Sequence, residues 1–406
     1  MIALRLDLIQ TLAVGALVFL VGIALKRVLP VLARLNIPSA VVGGLVFAAL
    51  VLVARDRFLN LQIDTAAQPL FMVAFFTTIG MSASLSLLRR GGVQVVVFLA
   101  IATVFCFVQN FVGMGIAAVY DVPPLLGVVA GSVTLVGGPA TGLAFAPLFE
   151  SAGVTGAATL ALAAATFGIV CGGLTGGPVG TRLIERHGLG AKRRSSASRA
   201  KPAPAEGDED TVTLNVDVER EDSSLVMNLI ALAVAMGLGS VLSFYFKEIG
   251  LTLPAYVGAM LVASLARNLD DFKGWFGIDQ RTMELIGGVS LNIFLVVALM
   301  DLKLWQLVNL ALPLVTILAA QVVIVVAFAL TICYWVMGRD YDSAVMASGF
   351  VGFVLGTTAN AMANMKTLVV EYGAAPRAFL IVPLVGAFFV DFTNALVITF
   401  FLNWLQ

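Results

Sequence analysis

Apolar residues run along this chain in long blocks separated by short polar interruptions. Five blocks, at about 7–25, 39–54, 68–88, 92–119 and 155–180, occupy the first half. Five more, at about 224–246, 254–266, 284–304, 306–337 and 377–402, occupy the second. Crossing the hydrocarbon core as a helix takes roughly 17–25 apolar residues, so these blocks predict membrane spans, 254–266 being a short one. The first block has no small-residue cleavage site and passes straight into Lys26-Arg27, which predicts a retained helix. Two further stretches, about 124–150 and 343–370, are broken in the middle by Gly, Pro and polar residues. They predict re-entrant hairpins, because unwound backbone at membrane depth must be buried or line a cavity.

Between the halves, residues 181–223 hold 17 of the chain's 48 charges, basic first and acidic after, with Ser, Ala and Pro between. That composition reads as a flexible linker. Basic residues flank spans on the cytoplasmic side. With the linker inside and five spans on each flank, 18 basic residues fall inside and 5 outside, and both termini lie outside. The predicted organisation is a first transmembrane repeat over 1–180, a cytoplasmic linker over 181–223 and a second repeat over 224–406.

Composition supports this reading. Of the 406 residues, 60% are hydrophobic and 12% charged, against about 25% charged in soluble domains. A zero net charge gives no footprint for nucleic acid. Cys106, Cys171 and Cys333 all lie in apolar runs and read as core residues. His187 is the sole histidine and sits in the linker, which excludes a His-based triad or zinc site in the membrane. The expectation is therefore an all-α polytopic membrane protein and no enzyme. It has no ATP-binding segment, which leaves an ion gradient to drive uptake.

The halves also resemble each other. Ile37-Pro38-Ser39-Ala40-Val41-Val42-Gly43 parallels Leu253-Pro254-Ala255-Tyr256-Val257-Gly258, and Ala130-Gly131-Ser132-Val133 parallels Ser348-Gly349-Phe350-Val351. Their offsets are 216 and 218. An odd span count per half inverts the second copy, giving two inverted five-helix repeats, each with one hairpin. Secondary transporters are built this way, with discontinuous helices meeting near the midplane.

The hairpins hold the candidate chemistry. In the first, Gly131-Ser132 and Gly137-Gly138-Pro139-Ala140-Thr141-Gly142 let the backbone open, and the freed N–H groups suit an anionic oxygen. The second carries Gly356-Thr357-Thr358-Ala359-Asn360, with Asn364 four residues after Asn360 on a shared helix face. Asp391 is the only carboxylate well inside a span, with Asn394 three residues on. An ionisable group there is a functional candidate by default, the alternative being a carboxylate bonded between helices. Gln109 with Asn110, Ser290 with Asn292, and Gln321 read as interhelical hydrogen bonds. Substrate contacts are expected from Gly137, Gly138, Thr141, Gly142, Thr357, Thr358 and Asn360. Sodium binding or coupling is expected from Ser132, Asn364, Asp391 and Asn394.

These residues resemble the bacterial sodium/glutamate symporter family over essentially the whole chain. The most specific run is Pro376-Arg377-Ala378-Phe379-Leu380-Ile381-Val382-Pro383-Leu384-Val385-Gly386-Ala387-Phe388-Phe389, followed by Asp391 and Asn394-Ala395-Leu396-Val397. Ala74-Phe75-Phe76-Thr77-Thr78-Ile79-Gly80, Ala164, Thr166-Phe167-Gly168 and Ala363-Asn364-Met365 add to it. The resemblance implies a homodimer in the bacterial cytoplasmic membrane, in contact with membrane lipid. It implies sodium-coupled glutamate uptake by movement of a transport domain against a scaffold, with Na+ as coupling ion and no cofactor. The chain departs from the family pattern at Pro139-Ala140, where His-Gly is usual, and at Ala359-Asn360, where Pro-Thr is common. Both changes sit at the tips, so the alternative substrate is another small carboxylate or dicarboxylate.

Overall fold

The computed structural model describes residues 2–54, 59–86, 92–189, 218–248, 254–274, 277–305 and 310–405. Besides a one-turn helix at Pro30–Arg34, seven helical elements are described in the first half: α1 (Leu8–Val28), α2 (Ser39–Ala54), α3 (Ala67–Ser82), α4 (Gly92–Val119), α5 (Pro124–Val133), α6 (Gly138–Ser151) and α7 (Ala157–Arg186). Seven follow: α8 (Val218–Glu248), α9 (Ala255–Lys273), α10 (Gln280–Met300), α11 (Ala311–Val336), α12 (Tyr341–Val354), α13 (Thr358–Tyr372) and α14 (376–405). Six of them, α1, α4, α7, α8, α10 and α11, are long and apolar enough to cross a membrane. The all-α polytopic expectation holds.

Local sequence explains several boundaries. Asp7 starts α1 with a reciprocal cap, accepting from Gln10 N at 2.8 Å while Gln10 Oε1 accepts from Asp7 N at 3.1 Å. Asp279, Asp340 and Thr357 cap α10, α12 and α13 through the backbone N–H three residues on. Gly274, in the left-handed region at φ 65°, ends α9.

Three details depart from the sequence reading. Residues Ile2–Leu6 (β1) and Leu59–Ile63 (β2) form a two-stranded parallel ribbon, where only helices were expected. The span expected at 254–266 continues as helix to Lys273. Its polar end is ordered by contacts such as Asp270, which accepts from Ile278 N at 2.8 Å. The expected 181–223 linker is helical at both ends. α7 runs on to Arg186 because Leu183 and Ile184 are buried, and α8 begins at Val218. The middle of that linker, 190–217, lies outside the described residues, as does the end of the 68–88 block beyond Ser86.

The helices sort into two bundles. In one, α1 packs on α2 and α8 on α9, while α3 lies against both α9 and α10 and α2 against α10. The other gathers α4 to α7 with α11 to α14: α4 packs on α5 and α11, α7 on α6, α12 and α13, and α14 on α4. The bundles meet chiefly where α10 touches α6 and where α3 and α9 touch α14. An edge-on ring contact, Tyr256 of α9 against Phe145 of α6 at 5.2 Å, crosses the boundary.

The α12 cap doubles as a clamp. Arg377, at the start of α14, donates to both oxygens of Asp340 at 2.6 and 2.8 Å and to Ser343 Oγ at 3.3 Å. Burial would raise the Asp340 carboxyl, but hydrogen bonds from Ser343 and the Arg377 charge outweigh it and hold the group below its ordinary value. A lowered carboxylate contributes stability above the ordinary value and loses it as pH falls through the lowered one. Both side chains are a third to a half exposed, so the ion pair contributes about 1 kcal/mol at most. Arg377→Met should lower the melting temperature by about 2 °C at pH 7. Melts run at falling pH should show that difference shrinking as Asp340 protonates.

Candidate functional site

Both hairpins break inside the eight-element bundle. The first arm of hairpin 1 opens at Gly131 (φ −100°, ψ −129°), and α6 begins after the turn at Thr134–Gly137. Gly138, the first residue of α6, has φ 66°, a left-handed conformation that disfavours a side chain. Pro139 then fits the first helical turn, where its missing N–H costs nothing. In hairpin 2 the chain breaks at Leu355–Thr357, and α13 starts at Thr358. The two tips meet: a Cβ on Gly138 would lie 3.8 Å from Gly356 O. The second arm of each hairpin therefore starts at this meeting point. Two helix N-termini, each with unpaired N–H groups and a positive dipole end, converge there.

A row of glycines on α7 makes the seat. A Cβ on Gly168 would overlap Leu355 O and come within 2.7 Å of Leu135 Cδ2, so both tips press on this one residue. One and two turns on, Gly172 and Gly176 face the Gly352 and Ser348 carbonyls of hairpin 2. Ser348 Oγ donates to Gly176 O at 2.8 Å. Small residues here let backbones approach closely enough to hydrogen-bond, as in membrane helix pairs generally.

Five side-chain amides in this bundle share an orientation, while Asn110 is reversed: its Oδ1 accepts from Ser132 N and its buried Nδ2 has no acceptor among the described residues. Asn360 Nδ2 donates to Ile169 O (2.7 Å), Asn364 Nδ2 to Gly172 O (2.9 Å) and Asn394 Nδ2 to Ser132 O (2.9 Å). Gln109 Nε2 donates to Val354 O (3.1 Å) and Gln321 Nε2 to Gln109 O (2.7 Å). Because each of the five nitrogens meets a carbonyl, none of these five groups can be reversed. Four of the oxygens, on Gln109, Gln321, Asn360 and Asn394, are buried and receive no hydrogen bond among the described residues. Ser132 Oγ and Thr166 Oγ1 are in the same condition. Each such group left without a partner costs about 1–3 kcal/mol. Among these groups the orphaned oxygens outnumber the one orphaned amide nitrogen, Asn110 Nδ2, a balance that favours a cation.

Asp391 lies on α14 one turn before Asn394 and is half-buried. No hydrogen bond or ion pair reaches its carboxylate among the described residues. The alternative of a carboxylate bonded between helices thus finds no partner there. Residues 385–389 of α14 form a widened turn, and Thr358 Oγ1 donates to Gly386 O at 2.6 Å, fastening hairpin 2 to it.

Residues 4–374 match the family described as sodium/glutamate symporter. The chain belongs to that family. It is 37% identical to the sodium/glutamate symporters of Escherichia coli (strain K12) and Shigella flexneri over 400 residues, 98% of this chain and 98% of each of theirs. Against the sodium/glutamate symporter of Haemophilus influenzae the identity is 37% over 388 residues, 95% of both chains.

Several residues singled out for this symporter family member have clear local duties. Gly137 fits over Thr141, and Gly142 packs against Ala161 and Thr134, so these glycines shape hairpin 1. Thr141 is buried on α6 one turn beyond the tip. Thr357 caps α13, and Thr358 spends its proton on Gly386, so its hydroxyl cannot also donate to a carboxylate. Asn360, expected to contact substrate, offers only its oxygen, which suits a cation or an ammonium rather than a carboxylate. Gln109 and Gln321 do form the expected interhelical bonds, and Asn110 Oδ1 accepts from Ser132 N at 2.9 Å. Asn292 instead bonds its own helix, at Gly288 O. Thr166, quoted only as part of a family run, was missed as a site residue. Its signal was a hydroxyl in a small-residue helix two residues before Gly168.

Proposed function

We propose that this chain is a sodium-coupled secondary transporter that imports glutamate by an elevator-like alternating-access mechanism. The observation carrying the reading is the meeting of two helix N-termini at the hairpin tips, flanked by buried oxygens that lack donors. The N-termini supply positive ends for the substrate's carboxylates. The oxygens suit sodium, a hard cation that prefers oxygen ligands. Ser132, Asn394 and Asp391 hold the ion: Ser132 is gripped on its N–H by Asn110 and on its carbonyl by Asn394, and both the Ser132 hydroxyl and the Asn394 oxygen are left free for it. Sodium's charge offsets the net −1 of glutamate in low dielectric. The relatives' names, sodium/glutamate symporter, agree with this pairing.

In this reading the eight-element bundle moves against the six-helix bundle. The Tyr256–Phe145 ring contact across the boundary, which is not tied by a hydrogen bond to the Tyr256 hydroxyl among the described residues, supports sliding. Inverted repeats are supported by the matching roles of elements seven apart: α1–α2 mirrors α8–α9, and α3–α9 mirrors α10–α2. Both termini face outward and the 181–223 connection lies in the cytoplasm, following the basic-residue bias. A homodimer forms in the bacterial cytoplasmic membrane through the six-helix bundle, whose α1 and α8 expose Leu17, Leu20, Leu238 and Phe244.

Thermal melts of purified protein test the coupling. A ligand at 100 times its dissociation constant stabilises by about 2.7 kcal/mol. Glutamate should raise the melting temperature with sodium present and hardly at all with potassium in its place. A glutamate shift of equal size in both salts would remove sodium from the mechanism.

A further inference from the structure

Thr166 and Asn360 leave two acceptor oxygens beside the hairpin tips, and neither has a donor among the described residues. Asn360 is fully buried and belongs to the first turn of α13. Its backbone N–H is taken by Thr357 Oγ1 at 3.3 Å and its side-chain nitrogen by Ile169 O, which fixes Oδ1 as the only free polar atom of the side chain. On α7, Thr166 precedes Ile169 by one turn, and Gly173, seven residues from Thr166, lies 3.9 Å from the Asn360 amide if a Cβ is placed on it. Positions i and i+7 share a helix face, so Thr166 lies on the same stripe of α7 as Gly173, two turns nearer the tips that press on Gly168. A threonine hydroxyl in a helix ordinarily donates to the carbonyl four residues back, as Thr175 does to Cys171 O at 2.7 Å on this same helix. Thr166 does not, although its oxygen is shielded from solvent.

We propose that Thr166 Oγ1 and Asn360 Oδ1 receive the α-ammonium of the substrate, and so restrict the carrier to amino acids over dicarboxylates of the same length. This rests on the symport reading above and deepens it. An α-amino acid carries carboxylate and ammonium on one carbon. Its binding site needs an anion-favouring end and acceptor oxygens side by side. The first turn of α13 supplies both: its N-terminus meets the α-carboxylate and Asn360 Oδ1 the ammonium. Thr166 gives a second acceptor from the opposite helix. A dicarboxylate without the amine would leave both oxygens unpaired, and sites built around a buried polar partner reject analogues lacking it strongly.

The comparison is glutamate against glutarate, which differ by the amine alone. Each is scored by the concentration giving half-maximal thermal stabilisation in sodium and by inhibition of labelled glutamate uptake. In the wild type, glutamate should act at concentrations at least about tenfold lower than glutarate. Thr166→Val, which keeps the shape of the side chain, should weaken glutamate by about tenfold and leave glutarate nearly unchanged. Asn360→Leu should act in the same direction, but it also removes the Ile169 anchor, so Thr166→Val is the deciding variant. Equal weakening of both ligands, an unchanged preference, or a shift in sodium dependence in place of amine preference would each overturn the assignment. If glutamate binds with the amine preference but without any need for sodium, the symport reading falls and the ammonium site stands.

Discussion

Asp391→Asn is expected to leave the fold intact and reduce sodium-dependent uptake by at least about tenfold, a loss worth about 1.4 kcal/mol of coupling. The amide matches the carboxylate in size, so packing on α14 is kept. Removing the charge changes two things. The proposed sodium site of Ser132, Asn394 and Asp391 loses its carboxylate, and sodium affinity drops accordingly. An amide also brings donors into a region where the neighbouring oxygens now wait for a cation, so it can bond to them and occupy the place of the ion. A carboxylate that merely braced helices would show a partner, and none reaches Asp391 among the described residues. Uptake measured across a sodium series separates the outcomes. A higher sodium requirement in the variant supports coupling, whereas wild-type rate and sodium dependence would return Asp391 to a packing role.

Gly168→Ala carries the second large effect. Alanine normally stabilises a helix interior relative to glycine by roughly 0.4–1 kcal/mol, by restricting the unfolded chain. At Gly168 the new methyl would overlap Leu355 O and crowd Leu135, which are backbone and side chain of the two tips. Overpacking of this kind costs about 1–3 kcal/mol, and relief is available only by lifting a hairpin from its seat. Uptake should fall at least about tenfold, with a lower melting temperature. Gly177→Ala, nine residues on in the same helix, meets nothing within 4 Å. It should raise stability slightly and leave uptake alone. If the two substitutions behave alike, the tips do not depend on the α7 seat.

Much of this architecture was legible in the sequence because the membrane demands long apolar runs and punishes interruptions. The blocks marked the helices, and the Gly and Pro breaks at 137–139 and 356–357 marked the hairpin turns to within a few residues. Asn394 and Ser132, 262 positions apart, could be named as candidates but not as partners, since only folding brings α14 to hairpin 1. Which atom of an amide is free is also invisible in sequence. Asn360 reads equally well as donor or acceptor until Ile169 O claims its nitrogen. The ribbon of β1 and β2 was hidden because five-residue strands leave little mark beside helices of twenty. Thr166 was hidden for a different reason: a hydroxyl in a span is usually satisfied by its own helix.

The common direction of five buried amides sets terms for anyone designing a blocker of this carrier. With the nitrogens of Asn360 and Asn394 committed to backbone carbonyls, the proposed site rewards compounds that bring hydrogen-bond donors or positive charge to their free oxygens on α13 and α14. Carbonyl-rich scaffolds, ethers and nitriles would meet oxygen with oxygen there and gain little. A blocker should keep a carboxylate for the helix ends, carry a guanidinium or amidinium facing Asn360, and place its bulk between the bundles. Under the proposed elevator motion such a molecule would hold the eight-element bundle in one position and draw selectivity from the free oxygens of Asn360 and Asn394.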